Sequence, residues 1–166
     1  MIVIGYGANL DSEYGSPFET FEVACRMLEK AGIKILQTSS MWETSPVDTA
    51  EDQPWYINAV LSVETDLNEA CVLSALLKIE EDMGRQRTYK NAARIIDMDL
   101  IDYDGIVTNY PNLTLPHPRM HERGFVLLPL QEIAPNWQHP RLNVGVDKLL
   151  SDVPPDQQMR KVNTHA

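Results

Sequence analysis

Cysteine is scarce in this chain, with only Cys25 and Cys71 among 166 residues. That excludes a disulfide scaffold or a multi-cysteine zinc site, and makes a reducing cytoplasm the expected compartment. Basic residues are also few: 14 Lys and Arg stand against 24 Asp and Glu, a formal net charge of −10. Gripping a nucleic-acid backbone needs a basic face, so no nucleic-acid partner is expected. No apolar run approaches the roughly 18 residues of a membrane span, so no membrane partner is expected either. The opening MIVIGYGANL has neither a basic stretch nor a long apolar one and predicts no signal peptide. Internal repeats and low-complexity linkers are absent. The length suits a single domain, taken as residues 1–150. A polar tail, 151–166, follows with Pro154 and Pro155, and is expected to be mobile or draped over the surface.

What is present reads as an α+β pattern. Ile2-Val3-Ile4 is β-branched and predicts a buried first strand. Ser16-Pro17-Phe18-Glu19 is a capping box with proline at the first helical position, and predicts a helix from about Pro17 to Ala31. Ile33 to Ser39 predicts a second strand, and Tyr56 to Glu64 a third after a polar loop. Asp66 with Glu69 suggests a second capping box, opening a helix with Leu73, Leu76, Leu77 and Met83 on its apolar face and Gly84 as its stop. Ile95 to Tyr103 predicts a fourth strand, closed by the turn pair Asp104-Gly105. The order is β-α-β-β-α-β, that of a ferredoxin-like fold: an antiparallel sheet with helices on one face. A further helix is expected from Glu122 to Ala134, interrupted at Pro129.

The sharpest chemical feature is Asp97-Met98-Asp99 inside a core-like strand. Alternation places Asp97 and Asp99 on one face, roughly 6.5–7 Å apart, with Met98 and Leu100 turned into the core. Like charges so placed repel and raise each other's pKa unless a cation joins them, and a hard oxygen-seeking ion such as Mg²⁺ suits them. The plain alternative is an edge strand with one solvated face. Asp102 and Asp104 continue the acidity but lie toward the turn and are expected to be solvated. Upstream, Arg85, Arg87, Lys90 and Arg94 concentrate positive charge in a polar stretch. Arginine forks match phosphate oxygens, and carboxylates for a cation beside arginines for phosphate is a phosphoryl-transfer layout. The sequence holds no G-x-x-x-x-G-K-[ST] loop, so phosphates must be held by metal and side chains. His117 lies between Pro116 and Pro118, while His121 and His139 are expected at the surface. Tyr56 and Asn58 share a strand face, a ring beside an amide that suits a flat heterocycle.

Taken in order, several segments resemble the 6-hydroxymethyl-7,8-dihydropterin pyrophosphokinases of folate biosynthesis. They are G-x-N-L at Gly7–Leu10, DQPWYINAV at Asp52–Val60, E-x-x-x-G-R-x-R at Glu80–Arg87, R-x-x-D-x-D-L at Arg94–Leu100 and LTLPHPRMHERGFVLLPL-x-EIAP at Leu113–Pro135. The resemblance implies a ferredoxin-like fold and an enzyme that moves pyrophosphate from ATP to the pterin hydroxymethyl oxygen, releasing AMP. It implies that Asp97 and Asp99 hold two Mg²⁺ ions. Arg85 and Arg94, with Arg87, would neutralise triphosphate charge. His117 and Arg123 would contact the nucleotide, Thr114 and the Leu100 backbone would lie near adenine, and Glu80 would line that site. Tyr56 and Phe125 would sandwich the pterin, with Asn58 and the Thr44-Ser45-Pro46-Val47 backbone bonding its edge. The expected partners are the two small substrates alone, on a monomer. The chain departs from the family's frequent Trp-Gly-Pro-Arg in having Asn91-Ala92-Ala93-Arg94. Two competing readings are a kinase that transfers only the γ-phosphoryl group, leaving ADP, and a ferredoxin-like sensor that binds a small anion without Mg²⁺.

Overall fold

The computed structural model describes residues 1–47, 49, 52–86 and 88–162. The expected elements form with few changes of boundary. Strand β1 is Ile2–Ala8, and helix α1 is Pro17–Lys30. The capping box is made: the Ser16 N–H donates to Glu19 Oε2 at 2.7 Å. The second strand is β2, Lys34–Thr38, and an additional short strand β3, Trp42–Thr44, forms ahead of the polar loop, so the loop expected around Thr44 begins as strand. Strand β4, Tyr56–Glu64, pairs with both along one edge. Helix α2 is Glu69–Asp82 and is capped by Asn68, not Asp66; Asn68 Oδ1 accepts from the Cys71 N–H at 2.9 Å. Its buried residues are Val72, Leu76, Ile79 and Glu80, whereas Leu77 is exposed. At its end Gly84 takes a φ of 92°, a left-handed turn that lets the Arg85 N–H return to the Glu80 carbonyl at 3.0 Å.

Strand β5 is Asp97–Tyr103; β6, Thr108–Tyr110, and β7, Leu113–Leu115, form a separate small hairpin. A 3₁₀ turn at Met120–Glu122 leads into α3, Gly124–Ile133, which runs through Pro129 without breaking. Helix α4 is Val146–Ser151, and β8, Met159–Lys161, is the last element. The tail is therefore partly structural, because β8 pairs antiparallel with β3 and extends the sheet. The sheet order is β5-β1-β4-β3-β8, with β2 also on β4, and every pairing is antiparallel.

Helices cover both faces of this sheet, not one. On the first face α1 and α2 bury Phe21, Leu28, Val72, Leu76 and Ile79 against Ile4, Tyr6, Leu61, Met98 and Leu100. On the second, α3 and α4 bury Leu127, Leu130, Val146 and Leu149 against Val3, Val60 and Ile101. Strand β4 thus contributes apolar residues to both layers, Leu61 to one and Val60 to the other, as a doubly covered strand must.

A bulge sets the end of β5. Ile4 pairs with Leu100 but Val3 pairs with Asp102, so Ile101 is the extra residue. The bulge turns Asp102 to the same face as Asp97 and Asp99. There it is 3% exposed, and its Oδ2 accepts from Trp137 Nε1 at 2.9 Å. The expectation of a solvated Asp102 is corrected: burial is tolerated because indole and the Gly105 N–H, 3.2 Å from Oδ1, satisfy the carboxylate. Asp104 does sit at the turn, exposed and 2.9 Å from the amino terminus. His139 is likewise buried and not at the surface; its Nδ1 accepts from the Arg141 and Leu142 N–H groups.

Asp102→Ala should leave the indole N–H without an acceptor and lower stability by about 1–3 kcal/mol, read as a lower urea midpoint; an unchanged midpoint would remove this role. A second expectation concerns acid. Burial, with His121 and Arg141 nearby, pushes His139 down to about 4 from its ordinary 6.5. The unfolded chain then binds more protons between those values, so this residue's share of stability is lost as pH falls from about 6.5 to about 4. His139→Gln should flatten part of that decline in pH-dependent urea unfolding, and an equally steep decline would count against it.

Candidate active site

A cleft of about 790 Å³, open at its mouth, lies where β1, β4 and β5 meet the start of α3. Its floor is backbone. Gly7 pairs with Asn58 on one side and Asp97 on the other, and a Cβ on Gly7 would stand 2.7 Å from Asn58 Oδ1. Glycine at this position gives the amide its room. Asn58 is buried, and its Nδ2 donates to Thr44 Oγ1 at 2.6 Å. Two residues back, Tyr56 presents its ring to the same cleft, with the Arg94 guanidinium 6.0 Å from the ring centre. Burial raises the tyrosine's pKa, so the phenol stays protonated. The loop Thr44, Ser45, Pro46 and Val47 and the side chains of Phe125 and Arg123 complete the cleft, Arg123 lying 5.5 Å over the Phe125 ring.

The acidic end of the cleft is a web of opposite charges. Asp97 Oδ1 accepts from Arg85 Nη1 at 2.8 Å, and its Oδ2 from Arg94 Nη1 at 3.2 Å. The same Arg85 Nη1 reaches Glu80 Oε2 at 2.6 Å, and that oxygen also accepts the Met98 N–H at 2.7 Å. A helix carboxylate thereby holds the strand between the two aspartates. For Arg85, burial works against the charge but Asp97 and Glu80 outweigh it, and its pKa is raised. Arg85 Nε is buried and has no partner among the described residues. A donor so placed suits a further anion.

Asp99 differs from Asp97. Burial, then the charge of Asp97, pushes its carboxyl up to about 7, with Arg123 pulling the other way. Its side chain is nonetheless 38% exposed at the cleft, so solvent moderates that shift. His117 Nε2 is 4.0 Å from Asp99 Oδ2. Burial and Arg123 push this histidine down to about 4, so the ring is neutral near pH 7 and the contact is not an ion pair. Its Nδ1 accepts from the Arg119 N–H at 3.2 Å, which leaves the ring proton on Nε2. The His117 N–H in turn donates to the Ile101 carbonyl at 2.8 Å, fixing this run beside β5. Among the described residues no group of three or more Asp, Glu, His or Cys forms a self-sufficient metal cage. Two carboxylates alone suit a hard cation whose remaining ligands come from water and substrate.

A second depression of about 740 Å³ adjoins the cleft at Asn91 and Arg94 and is lined by Arg85, Lys90 and residues 86–93 among those described. The structure therefore brings together the basic segment, the aspartate pair and the Tyr56–Asn58 strand. Arg87 lies outside the described residues. Thr114 and Leu100 do not line the cleft: Thr114 Oγ1 bonds the Tyr110 carbonyl at 3.3 Å, and the Leu100 side chain is buried in the core.

Two polar residues join these parts without having been assigned a role from the sequence. Asn9 Oδ1 accepts from the Arg94 N–H at 2.8 Å, while its Nδ2 donates to Gln53 Oε1 and the Pro54 carbonyl, both at 3.1 Å. Gln53 Nε2 donates to the Asn91 carbonyl at 2.9 Å. The signal was the polar Asn at the end of an apolar strand, buried here at 4% exposure.

Comparison with known proteins identifies a family and a fold. The family model of 7,8-dihydro-6-hydroxymethylpterin-pyrophosphokinase (HPPK) matches residues 3–135. The 2-amino-4-hydroxy-6-hydroxymethyldihydropteridine pyrophosphokinase of Haemophilus influenzae is 32% identical over 161 residues, covering 96% of each chain. The folic acid synthesis protein FOL1 of Dictyostelium discoideum is 38% identical over 154 residues, 93% of this chain but 22% of that protein. This chain spans between 19% and 25% of the length of that protein and of its counterparts in Schizosaccharomyces pombe, Pneumocystis carinii and Pisum sativum. In fold it is similar to wild-type Plasmodium falciparum HPPK-DHPS crystallised with pteroate, with a TM-score of 0.72 at 16% identity over 90% of this chain and 43% of that one. The matched span holds the carboxylate strand, the aromatic–amide strand and the start of α3, and this chain belongs to the 7,8-dihydro-6-hydroxymethylpterin-pyrophosphokinase family.

Proposed function

We propose that this chain transfers pyrophosphate from ATP to the hydroxymethyl group of 6-hydroxymethyl-7,8-dihydropterin and releases AMP. The observation that carries this reading is the single cleft in which a flat aromatic–amide slot (Tyr56, Asn58, Phe125) adjoins Asp97 and Asp99 with Arg85, Arg94 and Arg123 around them. The pterin hydroxyl oxygen attacks the β-phosphorus, the bond from that phosphorus to the α,β-bridging oxygen breaks, and the hydroxyl proton is lost. Asp97 and Asp99 would hold two Mg²⁺ ions, which would neutralise phosphate charge and lower the pKa of the attacking hydroxyl.

The chain's own side chains position and neutralise. Asn58 bonds the pterin edge with the Thr44–Val47 backbone, while Tyr56 and Phe125 cover its faces. Arg85 and Arg94 sit where the triphosphate would arrive, and Arg85 Nε is a donor ready for it. Arg87 joins them in this reading, and Glu80 keeps Arg85 in place. Neutral His117 offers Nε2–H to the nucleotide side, near Arg123, with Thr114 and the Leu100 backbone toward adenine. Catalysis is then chiefly positioning and charge stabilisation. The core is read as ferredoxin-like, since β5-β1-β4-β2 is its strand order with α1 and α2 as crossovers. Both cysteines are free, in accord with a cytoplasmic enzyme. No described helix is long and apolar enough to cross a membrane. The reading is of a monomer acting on small molecules, without a nucleic-acid partner.

The nucleotide product tests it: AMP with the pterin alcohol, ATP and Mg²⁺ supports pyrophosphate transfer, whereas ADP would mean γ-transfer and no product would leave a binding module. Asp97→Ala and Asp99→Ala should each cut AMP formation by about 10²–10³-fold or more. Their stabilities should diverge. Asp99→Ala relieves repulsion and should leave the thermal midpoint unchanged or higher, while Asp97→Ala strips a partner from Arg85 and Arg94 and should lower it. Near-parental turnover in either variant would sink the assignment. Asn58→Ala should weaken pterin binding by about 1–3 kcal/mol in fluorescence titration and spare ATP binding; equal loss for both ligands would misplace the slot.

A further inference from the structure

The segment beyond α4 crosses back over the molecule, outside the span that the family model matches. Two groups of its contacts bear on the cleft, one at β3 and the residue after it, the other at the start of α3. Directly after β3, the Ser45 N–H donates to the Gln158 carbonyl at 2.9 Å, and the Gln158 N–H donates to Ser45 Oγ at 3.0 Å. At the start of α3, Gln157 Oε1 accepts from the Gly124 N–H at 2.9 Å, and its Nε2 donates to the carbonyl of Glu122 in the preceding 3₁₀ turn at 2.9 Å. Lys161 spans both elements, 3.0 Å from Glu132 of α3 and 6.0 Å over the Trp42 ring of β3. The approach to α3 is close enough that a Cβ on Gly124 would stand 2.5 Å from the Met159 thioether.

These two elements carry two walls of the cleft: the Thr44–Val47 loop on one, Arg123 and Phe125 on the other. Gln157 grips the backbone groups on either side of Arg123. The Gly124 N–H is one of the donors that a helix start leaves unsatisfied, and Gln157 caps it from a distant part of the chain. Arg123 itself provides no capping side-chain bond and has the extended φ of −111°. A two-point clamp across that residue fixes the direction in which both Arg123 and Phe125 leave the backbone.

We propose that residues 157–162 form a strap that sets the spacing of the pterin slot, with Gln157 as its positioning residue; this rests on the pterin reading above. A flat ligand gripped on its edge by one wall and on its face by the other is sensitive to that spacing, while of the triphosphate end only Arg123 is held by the strap, the rest being built on β5 and the segment after α2.

The test uses the full chain carrying Gln157→Ala and, separately, Gln157→Glu, which keeps the acceptor for Gly124 but not the donor for Glu122. Gln157→Ala should raise the KM for the pterin alcohol about 5- to 10-fold, as loss of two backbone clamps warrants, with a smaller rise in the KM for ATP, transmitted through Arg123 alone. Gln157→Glu should fall between it and the parent, which also keeps the test open were the alanine variant to fold poorly. Amide exchange at Gly124 should quicken in Gln157→Ala without ligand. An unchanged pterin KM, or equal rises in both KM values with a lower thermal midpoint, would overturn the strap. AMP formation by the parent checks the pterin reading separately. Were the parent to form none, parental exchange rates at Gly124 and Ser45 in Gln157→Ala would still overturn the strap, and quickened exchange would still support it.

Discussion

Two carboxylates side by side on one strand face are a repulsive arrangement, and the site is organised around neutralising it. Asp97 meets this constraint within the protein, between Arg85 and Arg94. Asp99 does not, and its raised pKa is the residual cost of its position beside Asp97 in a partly desolvated cleft. The segment after α2 must return to β5 because its arginines are needed there. Glu80 is buried on α2 because Arg85 and the Met98 N–H both require it. Without that carboxylate the helix would lose its ion pair with Arg85 and its hydrogen bond to the strand.

The second organising feature is absence of side chains. Strand β1 lies between the pterin-facing strand β4 and the acidic strand β5, and it offers Gly5 and Gly7 where the cleft passes over it. The neighbouring strands can then place Asn58 and Asp97 on either side of bare backbone. Polar reach across the gap falls to Asn9 and Gln53, which tie the segment before β4 to the segment before β5. Burial of Asn9 is tolerated because three of its hydrogen-bonding positions are filled.

Much of this was legible in the residues. Strand β4 read correctly from Tyr56 to Glu64 because nine residues alternate without a breaker, and the capping box at Ser16 announced α1. The Asp97–Asp99 pair stood out because core strands do not otherwise hold repeated acids. Other features needed the third dimension. Periodicity puts Asp102 on the face opposite Asp99, and only the bulge at Ile101 reverses it. Asp66 and Asn68 both carry capping chemistry, and the helix takes the one closer to its apolar face. The helix that became α3 was expected, but not the sheet face it covers, because so apolar a run shows no polar side to set its facing. The short strand β8 was hidden because three residues between polar neighbours carry no period.

The bulge has a consequence for how β5 can change over time. One surplus residue uncouples the facing of the strand's first half, which carries the aspartate pair, from that of its last residues, which serve the Trp137 layer. Substitutions on either side of Ile101 are therefore independent of one another in orientation. Straightening the strand with Ile101 kept would pair Ile101 with Val3 and rotate Asp102 into the apolar layer beneath α1 and α2, where no indole waits, whereas loss of Ile101 would leave Asp102 opposite Val3 and facing Trp137. What the fold constrains here is where the surplus residue sits in the register.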